Sequence, residues 1–474
     1  MLSFRSRRGS PELVAPARAT PRETKPLSDV DDQHALRYYE TVLGFFRCCP
    51  GGGDGRPRDL VGAIKAALAE ALVYYYPVAG RLREAGGGKL AVECTAEGVV
   101  FVEAEADVRL DDFGVPLLPP YPCVDELLCD AGDPKAVIGR PLLLMQVVTQ
   151  LKCGGFVAGF HMCHSIADGF GMIQLMITIA ELTCGAEVPS ILPVWDRELL
   201  TTTPSSSSSS LVSYPSPAYE PLLNALDFAT DDVMLSTPPD QMVVHYLRFG
   251  PPELATLRGH VQASSPPGSP GAAAATSFEL ITAVMWRCRT AALGYAPAQR
   301  VRLMITMNAR GRWNRHTPIP WGYYGNAHFS PVAELAAGEL RARPLADTVE
   351  LVRRTKRSVT RECMRAMVGT AAFLRRWPAL AMDRTYEVSD TKWIGAGDGL
   401  QLGWAEYVGG GIPVAGDLSS KLGSYQMRCK NEDGEDSTAV SILLPAPAME
   451  AFKKEMAVWL NKGDDKSFII PSSL

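Results

Sequence analysis

FVAGFHMCHSIADGFG, Phe156 to Gly171, is the stretch whose reading decides the fold. Phe156, Ala158 and Phe160 alternate with Val157, Gly159 and His161, the period of a half-buried strand. Beyond it, Met172, Leu175, Met176, Ile179 and Leu182 recur at helical spacing, so a helix follows. His164 then falls in the strand-to-helix turn, with Asp168 and Gly169 at the helix entrance. Such a turn exposes an imidazole, a side-chain type whose unperturbed pKa lies near working pH and which suits a general base. Gly169 and Gly171 leave room for a ligand or another backbone to come close. With 7 histidines in the chain, chance yields about 0.4 His-x-x-x-Asp pairs, so the pair alone decides nothing.

Stretches far along the chain add to it. Tyr323-Tyr324-Gly325-Asn326-Ala327 and Leu400-Gln401-Leu402-Gly403-Trp404-Ala405 follow in order. Thr24 to Asp29, Tyr75 to Leu82 and Leu444 to Glu450 complete the set. Together these resemble the plant BAHD acyltransferases, which move an acyl group from coenzyme A to an alcohol or amine. His164 to Gly169 resembles the family's His-x-x-x-Asp-Gly motif. Leu400 to Ala405 is similar to a degenerate Asp-Phe-Gly-Trp-Gly motif, and the Tyr323 tract is similar to that of the benzyl alcohol O-benzoyltransferase-like branch. The resemblance runs from about Pro21 to about Leu460.

It implies an α/β protein of two similar chloramphenicol-acetyltransferase-like domains, with mixed sheets flanked by helices and the active site in the channel between them. Residues 1–200 form the expected N-terminal domain carrying His164, 201–225 a long crossover linker, and 226–474 the C-terminal domain carrying the Gly403-Trp404 loop. The resemblance makes His164 the base that takes the acceptor's proton within a ternary complex, with no acyl-enzyme. It makes Asp168 a strut paired with Arg310; helical i, i+4 spacing alone leaves a His–Asp dyad open. Thr391 or Trp393 is the expected oxyanion donor, beside the loop of Gly403 and Trp404. Tyr323, Tyr324, Asn326 and His328 are expected on the acceptor side, and Gly169, Thr276 and Ser277 against coenzyme A. For Thr276 and Ser277 ordinary helix capping is the competing reading. Gln401, Leu402 and Ala405 stand where the family has Asp, Phe and Gly, which leaves a non-catalytic binding protein as a rival.

Composition bounds the rest. A chain of 474 residues exceeds one hydrophobic core, so two domains are expected. Hydrophobic content of 46% and charged content of 21% are globular values. A net charge of −5 argues against nucleic acid as a partner. The 11 cysteines show no C-x-x-C spacing, which argues against a disulfide framework or a zinc site. His161, Cys163 and His164 crowd one strand end and cannot converge on a metal. No nucleophile elbow, P-loop, dinucleotide or zinc-protease motif occurs. The expected partners are acyl-CoA as co-substrate and a small alcohol, foremost benzoyl-CoA and benzyl alcohol; acetyl- or hydroxycinnamoyl-CoA with another alcohol or an amine is the alternative. No permanently bound cofactor and no membrane span are expected, and the expected state is a monomer in the cytoplasm. Ser472-Ser473-Leu474, one residue from a peroxisomal address, keeps the peroxisome as an alternative.

In chain order, residues 1–20 read as loose. Val42 to Phe46 reads as a strand, Asp59 to Tyr75 as a helix, and Lys89 to Glu105 as a hairpin turning at Glu97-Gly98. Leu142 to Leu151 is a further strand. Thr201 to Pro217 is a low-complexity linker, and Gln262 to Ala275 a second loose insertion. Ser277 to Leu293 is a helix, Val301 to Met307 a strand and Thr348 to Met367 a basic helix. Gln426 to Cys429 pairs with Thr438 to Leu444, and Ala448 to Leu460 closes the chain as a helix.

Overall fold

The structure, a computed structural model, describes residues 3–49, 57–114, 117, 119–149, 151–202, 232–265, 275–311, 318–374, 382–394, 400–413, 422–431, 433–463 and 467–470. The expected linker beyond Thr202, and Ser472-Ser473-Leu474, lie outside these residues. The principal strands are β1 (Tyr39–Cys48), β2 (Val99–Glu105), β3 (Leu143–Thr149), β4 (Phe156–Cys163), β5 (Met242–Phe249), β6 (Arg300–Asn308), β7 (Thr385–Asp390), β8 (Ala405–Gly411), β9 (Gly423–Lys430) and β10 (Asp436–Pro445). The principal helices are α1 (Leu60–Tyr74), α2 (Gly169–Thr183), α3 (Pro251–Ser264), α4 (Ser277–Ala292), α5 (Leu345–Arg357), α6 (Arg361–Leu374) and α7 (Ala446–Trp459).

Two mixed sheets organise them. The first runs Arg7–Arg8, β2, β3, β4, β1, β8, with β2 and β3 parallel. The second runs His328–Phe329, β6, β7, β9, β10, β5, Ile469–Ile470, with β6, β7 and β9 parallel. Each sheet buries one face under helices. In the first, Phe156, Ala158, Phe160 and Met162 of β4 pack with Leu68 and Leu72 of α1 and Met172 and Leu175 of α2. In the second, Leu303 and Ile305 of β6, Tyr386 and Val388 of β7, and Val440 and Ile442 of β10 meet Ile281, Val284 and Met285 of α4. Alternate residues of a strand point to opposite faces, so this pattern fixes what the other face carries. Among the described residues no helix is long and apolar enough to cross a membrane.

The sequence reading needs five corrections. β4 is buried on both faces rather than half-buried, because it lies between β3 and β1 and Val157 enters a second core with Leu43, Phe45 and Val148. Leu90–Glu93 and Val99–Glu105 form no hairpin: the first pairs with Thr24–Pro26 and Arg81–Glu84, the second with β3. Within residues 1–20, Arg7–Arg8 and Glu12–Val14 are strands paired with β2, not loose chain. The insertion from Gln262 begins later, since α3 runs to Ser264. The basic helix over Thr348 to Met367 is two helices, α5 and α6, parted at Ser358 to Thr360.

Although β8 follows residue 400, it hydrogen-bonds along β1. A strand from the second half of the chain thus completes the sheet of the first.

Candidate active site

The turn after β4 is held by backbone from two directions. His164 N donates to Tyr38 O at 2.8 Å, and His164 O accepts from Asn326 Nδ2 at 2.7 Å. The imidazole, half-buried, lies 5.2 Å from the Tyr38 ring and 6.3 Å from His328 between centroids. Its Nδ1 is buried and makes no hydrogen bond among the described residues. Among the described residues no carboxylate is hydrogen-bonded to the ring, and the backbone of the turn is held from both sides.

Asp168 is occupied elsewhere. As N-cap of α2 its Oδ1 accepts from Gly171 N at 2.9 Å, and its Oδ2 accepts from Ala327 N at 3.0 Å. Arg310 Nη2 donates to Oδ1 at 2.9 Å and Nη1 to Oδ2 at 3.0 Å, a bidentate pair. These bonds fill the lone-pair sites of a carboxylate and leave none for the imidazole. Arg310 is equally committed, with Nε on Tyr323 O, Nη2 on Gly325 O and Nη1 on Asn308 Oδ1. Burial pushes the Asp168 carboxyl up, but the Arg310 charge and the donated hydrogen bonds outweigh it and hold the group below the usual carboxylate range. Gly171 is required here, because a Cβ would lie 1.9 Å from Tyr324 O.

A second buried network braces the same turn. Asp31 Oδ2 meets Arg197 Nε at 2.9 Å, and Asp31 Oδ1 accepts from Asn326 N and Nδ2, both at 2.8 Å. Arg197 Nη2 donates to Ile166 O at 2.8 Å, inside the turn itself. Its guanidinium lies over Trp195, Tyr323 and Tyr324 at 4.2, 4.9 and 5.0 Å. A Cβ on Gly325 would meet Arg197 Nη1 at 1.9 Å, so glycine alone fits there. Sequence reasoning missed Asp31 and Arg197. The polar tract Ser28 to Asp32 was the available signal, yet nothing local says that it is buried.

Several expected site residues take other places. Tyr323 and Tyr324 are both buried, their rings against Arg197 and, for Tyr324, Tyr75. Asn326 is fully buried and spends its amide on Asp31 and the His164 carbonyl. His328 does stand beside His164, and burial pushes its imidazole down to about 4, so it is neutral at working pH. The Thr391 hydroxyl donates to Gln426 O and the Trp393 indole N–H to Asp390 O, so neither is poised as an oxyanion donor. Gly403-Trp404 forms a tight turn closed by the Leu402–Ala405 bridge, with Trp404 inside the first core near Phe156. Gln401 Oε1 accepts from Tyr407 N at 3.1 Å, which ties the altered loop to β8. Thr276 is the N-cap of α4 in a capping box with Glu279. That carboxylate, held by Arg353 and Lys356, already occupies the turn an external anion would use, while Ser277 opens the helix. Gly169 faces open space, with nothing within 4 Å of an added Cβ.

The metal reading of His161-x-Cys163-His164 finds no support in the geometry. His161 is engaged by Thr41 Oγ1 and Cys129 O, and no metal-holding cluster occurs among the described residues. One further acid was not singled out. Glu387 on β7 accepts from Thr306 Oγ1 at 2.9 Å, and burial pushes its carboxyl up against that hydrogen bond.

The arrangement is a lone imidazole on a rigid turn, able to take and return one proton beside a bound thioester. Comparison with known proteins agrees with that chemistry. The Transferase family description matches residues 8–458. Acyl transferase 1 of Oryza sativa subsp. japonica is 64% identical over 493 residues, spanning 100% of both chains. Spermidine hydroxycinnamoyltransferase 1 of the same plant is 49% identical over 91% of this chain and 94% of its own. Benzyl alcohol O-benzoyltransferase of Nicotiana tabacum is 43% identical over 96% of this chain and 94% of its own. Among solved structures, vinorine synthase superposes with a TM-score of 0.69 at 18% identity, covering 96% of this chain and 98% of that one.

Proposed function

Because the chain belongs to the BAHD family of acyl-CoA-dependent acyltransferases, we propose that it moves an aromatic acyl group to a small acceptor with His164 as the general base. The foremost pair is benzoyl-CoA and benzyl alcohol, in line with the 43% identical tobacco relative. The acceptor O–H gives its proton to His164 as the oxygen attacks the thioester carbonyl. The C–S bond then breaks, and the imidazolium returns the proton to the coenzyme A thiolate. A thioester carries its own leaving group, so one positioned base and alignment of the two substrates suffice. Coenzyme A enters and leaves as co-substrate.

The observation that supports this reading is the full engagement of Asp168, which has no free lone pair to share with the imidazole, on a turn whose backbone is held from both sides. A base without a carboxylate partner suits a proton shuttle that must both take and release within one turnover. The second reading is an amine acceptor with a hydroxycinnamoyl donor, which the 49% identical rice relative favours.

A matrix of acyl-CoA donors against alcohols and amines, read by mass spectrometry and free-thiol release, tests both. Wild-type protein should release coenzyme A with an aromatic donor, and His164→Ala should lower kcat/KM at least ~100-fold with unchanged melting. Near-full turnover in a folded His164→Ala variant refutes the base.

A further inference from the structure

Among the described side chains only two Phe, Tyr or Trp rings stand exposed, Trp321 at 57% and Trp393 at 37%, and both lie against one ring. That ring is Phe170 at the start of α2, its centroid 5.9 Å from Trp321 and 5.4 Å from Trp393. Aromatic rings of this size are normally withdrawn from water, so two left out beside a third make a platform that calls for an occupant. The indoles are held from behind. Trp393 Nε1 donates to Asp390 O at 2.9 Å, and the Trp321 ring packs on Gly311, where a Cβ would lie 3.4 Å from it. Arg310 Cζ lies 4.5 Å over Phe170, so one face of that ring is covered by the guanidinium that holds Asp168. Rings fixed before a ligand arrives lose little freedom on binding.

The imidazole of His164 has other ring neighbours, Tyr38 and His328; among the described residues no ring contact joins it to Phe170, Trp321 or Trp393. An aryl group bonded to the reacting carbon, or one carbon from the attacking oxygen, has to lie beside the base. The platform therefore suits a ring remote from the reacting atoms. The two substrates offer one such ring, the adenine of coenzyme A, joined to the thioester by the flexible pantetheine arm. Phe170 follows His164 by six residues, so the platform stands within about 20 Å of the imidazole along the chain, a span for the arm to cross. Gly169, beside Phe170, leaves open space, with nothing within 4 Å of an added Cβ. Lys392, next to Trp393, is already engaged by Asp390 and Gln426, so this surface offers a base its π faces rather than the phosphates a charge.

We propose that Phe170, Trp321 and Trp393 form an adenine subsite, which holds the nucleotide end of acyl-CoA by stacking while the thioester reaches His164. This rests on the acyl-transfer reading above and adds where the far end of the co-substrate docks. Contacts made there are the same before and during the chemical step, so they lower KM and leave kcat alone.

The experiment pairs kinetics with calorimetry on the full chain, in wild type, Trp321→Ala, Trp393→Ala and Trp393→Phe. The donors are benzoyl-CoA and benzoyl-pantetheine, which carries the same thioester without the nucleotide; the titrants are coenzyme A and adenosine 3′,5′-bisphosphate. Each alanine variant should raise KM for benzoyl-CoA at least ~5-fold, the lower end of what one stacked base contributes, with kcat and the KM for benzoyl-pantetheine little changed. Both titrants should bind wild type and weaken to the same degree in the alanine variants, and Trp393→Phe should keep most of the affinity. Parental KM and affinity in alanine variants that melt normally overturn the proposal. So does an equal rise for both donors, which puts the rings against the arm or the acyl group, and so does a rise in the acceptor's KM alone. Absence of turnover with either donor leaves calorimetry to decide: alanine variants that weaken coenzyme A then uphold the subsite although the benzoyl-transfer reading fails. Titrants that do not bind wild type overturn the subsite, and turnover of benzoyl-CoA in that case leaves acyl transfer standing.

Discussion

Removing Arg310 tests whether Asp168 is a strut or a catalytic partner. Arg310→Met preserves the length of the stem but leaves a buried carboxylate with only the N–H groups of Gly171 and Ala327. It also strands the acceptors Tyr323 O, Gly325 O and Asn308 Oδ1. Removing one partner of a buried ion pair costs about 3–5 kcal/mol, and Asp168→Asn, which leaves the guanidinium unpaired, falls in the same range. The double variant carries neither uncompensated charge, so its loss should be smaller than the sum by about 2–3 kcal/mol. Denaturant unfolding followed by tryptophan fluorescence measures all four proteins. The acid limb supplies a second readout. The Asp168 carboxyl is lowered in the folded state, so its contribution is present above the unfolded value near ~4 and is lost as pH falls through the lower folded value. Asp168→Asn should therefore flatten the stability curve at that acid end. Single losses that add within about 0.5 kcal/mol would refute the strut. A dyad would be indicated instead by an Asp168→Asn protein of normal stability with a shifted pH–rate profile.

Gly171→Ala drives a Cβ into Tyr324 O and should cost at least about 3 kcal/mol in melting experiments, whereas Gly169→Ala, facing open space, should stabilise the start of α2 by up to about 1 kcal/mol; equal effects would mean that the α2–Tyr324 approach is not tight. His328 is held neutral by burial, with its imidazole pushed down to about 4, so the stability it supports is complete above ~6.5 and is lost as pH falls from there toward 4. His328→Phe should remove on the order of 3 kcal/mol of that acid loss, and a parent-like pH profile of stability would count against the burial argument. Restoring the family pattern with Gln401→Asp, Leu402→Phe and Ala405→Gly puts a larger ring into the first core and a glycine into β8. It should cost about 1–3 kcal/mol of stability while changing kcat/KM less than ~10-fold; rescue of an inactive parent would point to a loop role in catalysis.

The strand, turn and helix around His164 were legible because their causes are local: a strand-length apolar run in β4, helical spacing in α2 and a capping aspartate between them. The number of domains followed from length, and the chemistry from one histidine at a turn together with family-like stretches. Other elements misread because the same periodicity serves different partners. Leu90–Glu93 and Val99–Glu105 look like two arms of a hairpin, yet they belong to different sheets. Of the contacts that hold the His164 turn, the Asp168–Arg310 pair was legible only through the family resemblance, and the network of Asp31, Arg197 and Asn326 was not legible. Asp168 meets Arg310 across 142 positions, and Asp31 meets Asn326 across 295. Whether a polar tract such as Ser28 to Asp32 stays in water or enters the interior depends on what arrives beside it. That the Tyr323 and Tyr324 rings lie against Arg197 could not be read from their own tract. Glu387 carried no local signal, since its neighbours Val388 and Tyr386 mark only an ordinary strand. Sequence periodicity tells which face of an element is apolar. What shares the opposite face is set by long-range packing, and so is the cost of a buried charge, which depends on the partner that packing brings to it.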